Sequence, residues 1–374
     1  DEAAETAGPI IFYWEELQMN YVEGYQDHGI IIRPDKEGEP FFSVDGGGIR
    51  EAIINRENGK YYLFYDGAIP GARPDSYWMA CLAESEDLVH WKKLGRVLNV
   101  SPDGSGALDT RTATSPWVYF DGERWHMYYI GSPACSEEGV PACPYYTLYA
   151  SAGQLTGPWK KRIDEPGKEK HVCFMTKPNS WMDFTASAGH VLENPNWQGP
   201  GDRENDRYIM YFSGSCLPPM ERSLGIATTN DLARTDDYDA PAPNHWHIQP
   251  EPILPPEIDL ENSSVYYEEA NGTYFLFTNH IKDNSYTDAV YVYSSKDPFH
   301  WDPACGRILV DASNSTWAHG AIGMPTVIKT APNTLSIVYD GVEGSGCGHL
   351  NRCIGLGTLP LPLKPFEKIP LERD

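Results

Sequence analysis

The chain has 374 residues, 41% of them hydrophobic and 12% aromatic, which is enough apolar material for a large core and too much for disorder. Its 53 acidic against 29 basic side chains leave a net charge of −24, a field that repels phosphate backbones and anionic membranes and argues against nucleic acid as a partner. No stretch reaches the roughly 20 apolar residues of a membrane-spanning helix, and the polar run 1–6 lacks the charged-then-apolar order of a signal segment, so the expectation is a soluble, mature, secreted or periplasmic protein with no membrane partner.

Near the start, YWEELQMNYVEG from Tyr13 has helical apolar spacing, and residues 1–43 read as a padding or closure segment. After it one phrase recurs five times, a turn followed by a Tyr- and Trp-rich apolar strand. The copies are NGKYYLFYDG from Asn58, DGERWHMYYIG from Asp121, NDRYIMYFSG from Asn205, NGTYFLFTNH from Asn271 and PNTLSIVYDG from Pro332. Asn-Gly and Asp-Gly between apolar runs are hairpin turns, because both central residues of a type I′ turn need positive φ. Each phrase is therefore the second strand of a hairpin.

An apolar strand precedes every copy: IREAII, TSPWVYF, SAGHVLE, SSVYYEE and GMPTVIK. Each of the first four copies is followed by a further strand and a Trp in a polar setting, at Trp91, Trp159, Trp246 and Trp301, positions suited to blade packing. Four strands per unit and five units predict an all-β single domain, a five-bladed β-propeller with four antiparallel strands per blade, whose ring closure hides the sheet edges. The blades are expected at 44–100, 108–163, 181–250, 259–310 and 317–366; a β-sandwich is the alternative. Of eight cysteines, two pairs are close in sequence, Cys135 with Cys143 and Cys347 with Cys353, and no CxxC metal spacing occurs. Short-loop disulfides are expected at both pairs. The sequons at Asn99, Asn262, Asn271 and Asn314 are no more than chance supplies in a chain this rich in Asn.

The phrases SEDLVHW (85–91), LTGPW (155–159) and KDPFHW (296–301), each closing a unit whose second strand is like GKYYLFY, resemble the five-bladed glycosidases of glycoside hydrolase families 43, 62, 32, 68, 117 and 130. The likeness covers almost the whole chain. The NDPN-type nucleophile motif of family 32 is missing, and families 43 and 117 are the most similar. The resemblance implies catalytic groups where the inner strand of each blade begins, around an axial funnel. Blade one there reads from Asp45 through Arg50 to Glu51, with Glu51 where relatives carry the Asp of R-D-P. Blade two runs from Asp109 and Arg111 to Ser115-Pro-Trp117. Blade three offers Trp181 and Asp183 several residues before the strand at which relatives have Asp-Pro. Blade four has Glu261-Asn-Ser, similar to the E-G-P of the general acid, and blade five has Trp317-Ala-His319-Gly, similar to the G-H that supplies an axial His.

Glycoside hydrolysis needs one carboxyl kept protonated for the leaving oxygen and another kept ionised to activate water or attack. The resemblance implies a catalytic set of Glu51, Asp183, Glu261 and His319: Glu261 as acid, Glu51 as base, Asp183 as the carboxylate that tunes them, and His319 as an axial imidazole or alternative acid. Asp45 and Asp109 are further candidates for the site. Arg50 and Arg111 would suit a carboxylate or sulfate on a sugar, and Trp117, Trp181 and Trp317 would stack on sugar faces. No cofactor is required; an axial calcium or other structural cation at His319 is the metal the resemblance leaves room for. The implied activity is an exo-acting, inverting glycoside hydrolase with an oligosaccharide from a plant or algal polysaccharide as its substrate. A non-catalytic carbohydrate-binding propeller and a glycoside phosphorylase of the same fold are the alternatives, and oligomeric state is left open.

Overall fold

A computed structural model describes residues 21–71, 77–134, 145–216, 221–241, 246–282, 287–346, 348 and 350–369. It is almost entirely strand; among the described residues the helices are the four-residue turn Phe42–Asp45 and three 3₁₀ turns. The expected helical segment from Tyr13 lies mostly outside the described residues.

Five four-stranded units succeed one another. Blade one is Gly48–Glu57, Lys60–Ala68, Trp78–Ser85 and Lys92–Arg96, from the axis outward. Blade two is Thr112–Phe120, Trp125–Ser132, Tyr146–Ala152 and Lys160–Lys161. Blade three has its inner strand split into Thr185–Ser187 and Val191–Glu193, both paired with Tyr208–Cys216, then Glu221–Thr229 and His247–Ile248. Blade four is Leu260–Glu268, Thr273–Lys282, Thr287–Ser295 and Gly306–Val310. Blade five is Ile322–Ala331, Thr334–Val342 and Arg352–Pro360, completed on the outside by Gln26–Ile32 from the other end of the chain. The inner strand of blade one packs against those of blades two and five, and that of blade four against blade five and the second strand of blade three. The result is a propeller.

The recurring phrase is a continuous apolar run because the second strand of each blade is covered on both faces by the neighbouring sheets. Tyr61 to Ala68 are all buried, as are Ile209 to Phe212 and Leu335 to Tyr339. The core accordingly lies between blades. Phe275, Phe277 and Val292 of blade four meet Ile337, Tyr339 and Leu359 of blade five, and Ile49, Leu63 and Tyr65 of blade one meet Val338 and Ile354 of blade five.

The closing tryptophans are explained by local chemistry. In blades one, two and four the indole N–H donates back to the carbonyl of the turn before it, Trp91 to Leu88 at 2.8 Å, Trp159 to Leu155 at 3.1 Å and Trp301 to Pro298 at 3.1 Å. The preceding Asp87 and Asp297 accept the N–H groups of Val89 and Phe299, forming Asx turns. The hairpins differ from expectation in one detail. Asn58 and Gly59 both have positive φ, at 50° and 83°, as a type I′ turn requires, whereas in the turns at Asp121 and Asn271 only Gly122 and Gly272 do. There the Asp121 side chain accepts from the N–H groups of Glu123 and Arg124 instead.

The disulfide expected between Cys347 and Cys353 is corrected: Cys353 carries a free, buried thiol, with Arg33 Nη1 3.7 Å from its sulfur. Its expected partner Cys347, like Cys135 and Cys143, lies outside the described residues, and Cys81, Cys173, Cys216 and Cys305 are also free.

Candidate active site

At the axis the inner strands share an irregularity. Pairing slips between Arg50 and Ile53, between Thr114 and Trp117, between Glu261 and Ser264 and between Gly323 and Thr326, so each strand carries a bulge at an equivalent place. The bulged residues Glu51, Ser115 and Asn262 have φ of 54°, 51° and 58°, a region that costs a non-glycine residue about 1–3 kcal/mol and that clusters at functional sites. Asn262 takes the place of the Gly in the E-G-P pattern; Asn tolerates this conformation better than most side chains.

A bulge leaves an N–H without its ladder partner. Here the neighbouring blade supplies one. Asp66 of blade one accepts from the Ser115 N–H at 2.6 Å, Ser213 of blade three from the Asn262 N–H at 2.9 Å, and Asp340 of blade five from the Glu51 N–H at 2.7 Å. These acceptors fall in the last three residues of the recurring phrase, YDG, FSG and YDG, where strand alternation turns them away from the aromatic residue beside them and toward the axis.

The bulges frame an axial pocket lined by Arg50 and Glu51 of blade one, Glu261, Asn262 and Asn279 of blade four, and Gly323, Asp340 and Arg352 of blade five. Two of the four expected catalytic residues thus meet. The Glu51 carboxylate accepts the Ser115 hydroxyl and lies 3.4 Å from Arg50 Nη2. Arg50 is nearly fully buried, 3.4 Å from Asp66 and with its guanidinium over the Trp78 ring at 5.2 Å. Glu261, with 31% of its side chain exposed, lies 3.6 Å from Arg222 Nε. Arg222 is held by Asp259 at 2.9 and 3.1 Å. Burial raises the Glu261 carboxyl above the ordinary glutamate range; Arg222 opposes the rise, and the negative charges of Glu51 and Asp259 add to it. Asp340 is bound by Arg352 at 2.7 Å.

The other expected residues lie elsewhere. Asp183 is exposed in the turn before the inner strand of blade three. His319 is exposed, its ring bonded to the Ala312 carbonyl at 3.0 Å. Among the described residues no group of three or more His, Cys, Asp or Glu side chains is arranged to hold a metal ion. Asp45 and Asp109 are fully buried in matching networks: Asp45 accepts from Tyr65 at 3.1 Å and pairs with Lys93 at 2.6 Å, and Asp109 accepts from Tyr129 at 3.1 Å and pairs with Lys161 at 2.9 Å. Arg111 donates to Asp103 and to Tyr77. Trp117 is buried between blades, Trp181 stacks on Phe212 at 5.6 Å, and Trp317 stacks on Tyr339 at 5.5 Å while donating to its hydroxyl. None of these lines the axial pocket.

With the ring and pocket in view, comparison with solved structures places the fold in the class of propeller glycoside hydrolases. A structure described as an RGII complex is 18% identical and aligns over 97% of this chain and 98% of its own, with a TM-score of 0.66. A glycoside hydrolase is also 18% identical, over 98% of each chain, with a TM-score of 0.65. An α-L-arabinofuranosidase from Podospora anserina in complex with cellotriose is 13% identical over 92% and 98%, with a TM-score of 0.54. Solved members of families 43, 62, 117 and 130 share the fold as well, so the expected likeness holds at the level of fold. No protein-family profile matches the chain, and no curated protein does.

Proposed function

We propose that this chain is an exo-acting glycoside hydrolase that cleaves the terminal bond of an oligosaccharide with inversion, Glu261 giving its proton to the leaving oxygen and Glu51 drawing one from the attacking water. The observation that carries the reading is the meeting of these two carboxyls in one axial pocket in unlike environments. Glu261 is biased toward its protonated form by burial and by two neighbouring acids. Glu51 is directed by the Ser115 hydroxyl and by Arg50, on a strained bulge. Pairs of acids whose surroundings differ in this way are how one site runs acid and base chemistry together.

Phosphorolysis is the weaker reading. Two guanidiniums line the pocket and a third, Arg222, lies beside Glu261, yet Arg50 lies against Glu51 and Asp66, Arg222 is held by Asp259, and Arg352 by Asp340. Their charge is engaged by the protein's own acids, which leaves little to draw a phosphate dianion. The test is a panel of plant and algal oligosaccharides incubated with the chain and followed by proton NMR. Release of a single terminal sugar, first seen as the anomer opposite to that of the bond cleaved, supports the reading. Retained configuration, internal cleavage or turnover that requires phosphate would overturn it.

A further inference from the structure

A third carboxylate lies behind the pair. Asp66, on the second strand of blade one, is fully buried, and its contacts run toward Glu51. One carboxyl oxygen accepts the Ser115 N–H at 2.6 Å. The other lies 3.4 Å from the Ser115 hydroxyl and 3.4 Å from Arg50 Nε. Ser115 and Arg50 are the two groups that bear on the Glu51 carboxylate. Resting on the reading of Glu51 as the base, we propose that Asp66 is the third carboxylate of the site, a positioning residue that holds the Ser115 hydroxyl and the Arg50 guanidinium against Glu51.

A serine hydroxyl has one hydrogen, and here it points to Glu51. The approach of the same oxygen to Asp66 is favourable when Asp66 carries a proton and donates it. Charge leads to the same state. The groups facing Asp66 are Arg50 and Glu51 from the inner strand of its own blade, Cys81 from the third strand, and Ser115 from blade two. Burial pushes the Asp66 carboxyl well above the ordinary aspartate range and the charge of Glu51 adds to this, with Arg50 and Ser115 opposing. An un-ionised acid in this position orients the serine and leaves the guanidinium charge to Glu51. The role expected of Asp183 thus falls to a residue from a different blade.

The experiment uses Asp66→Ala, Asp66→Asn, Ser115→Ala and the double variant Asp66→Ala/Ser115→Ala in the full chain, with a 4-nitrophenyl glycoside that the unaltered protein cleaves. Loss of alignment predicts that D66A and S115A each lower kcat by about 10- to 100-fold with KM within about twofold, that the double variant loses no more than either alone, and that D66N, whose amide can both donate and accept, recovers most of the turnover. In addition, the infrared difference between the unaltered protein and D66N at neutral pH shows the carbonyl stretch of an un-ionised acid, a readout that needs no substrate. Unchanged kcat in folded D66A, losses that multiply in the double variant, or absence of that band would each overturn the proposal. If instead Glu51→Gln keeps full activity, the reading of the site fails and this proposal falls with it; an inactive Glu51→Gln beside a fully active D66A condemns the proposal alone.

Discussion

The main-chain N–H of Glu51 donates to the carboxylate of Asp340 at 2.7 Å, across 289 residues of sequence. Asp340 also binds Arg352 at 2.7 Å, and both side chains are nearly fully buried. Asp340→Ala strips the acceptor from the bulge and the partner from a buried cation, so unfolding in urea is expected to show a loss of about 3–5 kcal/mol. Asp340→Asn keeps an acceptor for the N–H and loses less, about 1–3 kcal/mol. Equal losses in the two variants would mean that the bulge N–H does not need this partner.

Glu261→Gln preserves shape and removes the proton. Turnover is expected to fall by about 10²- to 10⁴-fold, the contribution of a positioned acid, while calorimetry shows oligosaccharide binding within a few-fold of the unaltered protein. Loss of binding together with turnover would make Glu261 a sugar ligand and not the acid.

The pH profile has a definite sign. As the proposed acid Glu261 would work protonated, so the rate is expected to decline as pH rises through its raised value, and the stability its protonated form contributes is complete below the ordinary glutamate range and lost over that same rise. Asp259→Asn removes a like charge and leaves Arg222 wholly to Glu261; both effects favour ionisation, and the alkaline limb of kcat/KM should move to lower pH. Arg222→Gln removes the opposing cation and should move that limb to higher pH. Shifts of the same sign in the two variants would contradict the assignment.

Asp45→Asn and Asp109→Asn are expected to lower the melting temperature without altering KM, because each carboxyl is enclosed with a lysine and a tyrosine rather than open to the pocket. Lys93 keeps Asp35 at 2.5 Å and Lys161 keeps Asp164 at 3.4 Å, so the loss expected is that of a weakened buried hydrogen bond, about 1–3 kcal/mol. A change in KM at unchanged stability would return them to the substrate site.

The blade rhythm was legible because it rests on local chemistry, namely apolar strands covered on both faces and turns closed by Asn, Asp, Gly and Trp. The meeting of Arg50, Glu51 and Glu261 at the axis was legible because each stands at or beside a bulge near the start of its inner strand. Asp183 was misleading since blade three breaks its inner strand at Gly189, where a Cβ would come within 2.0 Å of the Tyr211 carbonyl oxygen, and the carboxylate before the break stays in an exposed turn. His319 likewise precedes its strand, in a loop whose ring contact faces Ala312. Asp66 and Asp340 went unread although they stood in the repeat itself. Their partners are main-chain N–H groups of the next blade, which no pattern of side chains announces; the alternation of Tyr with Asp in YDG was the available signal.

The strand Gln26–Ile32 takes as its partner Arg352–Pro360 from the far side of the ring's sequence, and Asp27 accepts from Tyr339 at 2.8 Å on the same seam, across 312 residues. The blades before it are built from hairpins local in sequence; the fifth needs two segments that are far apart in sequence. Because loop-closure entropy grows slowly with length, joining segments so far apart adds little to the equilibrium cost, but pairings of this sequence separation form late. The acceptor that aligns Glu51 arrives with that last step. A nicked or half-assembled ring therefore leaves the Glu51 bulge without its acceptor, and the axial pocket takes its form only when the circle is shut.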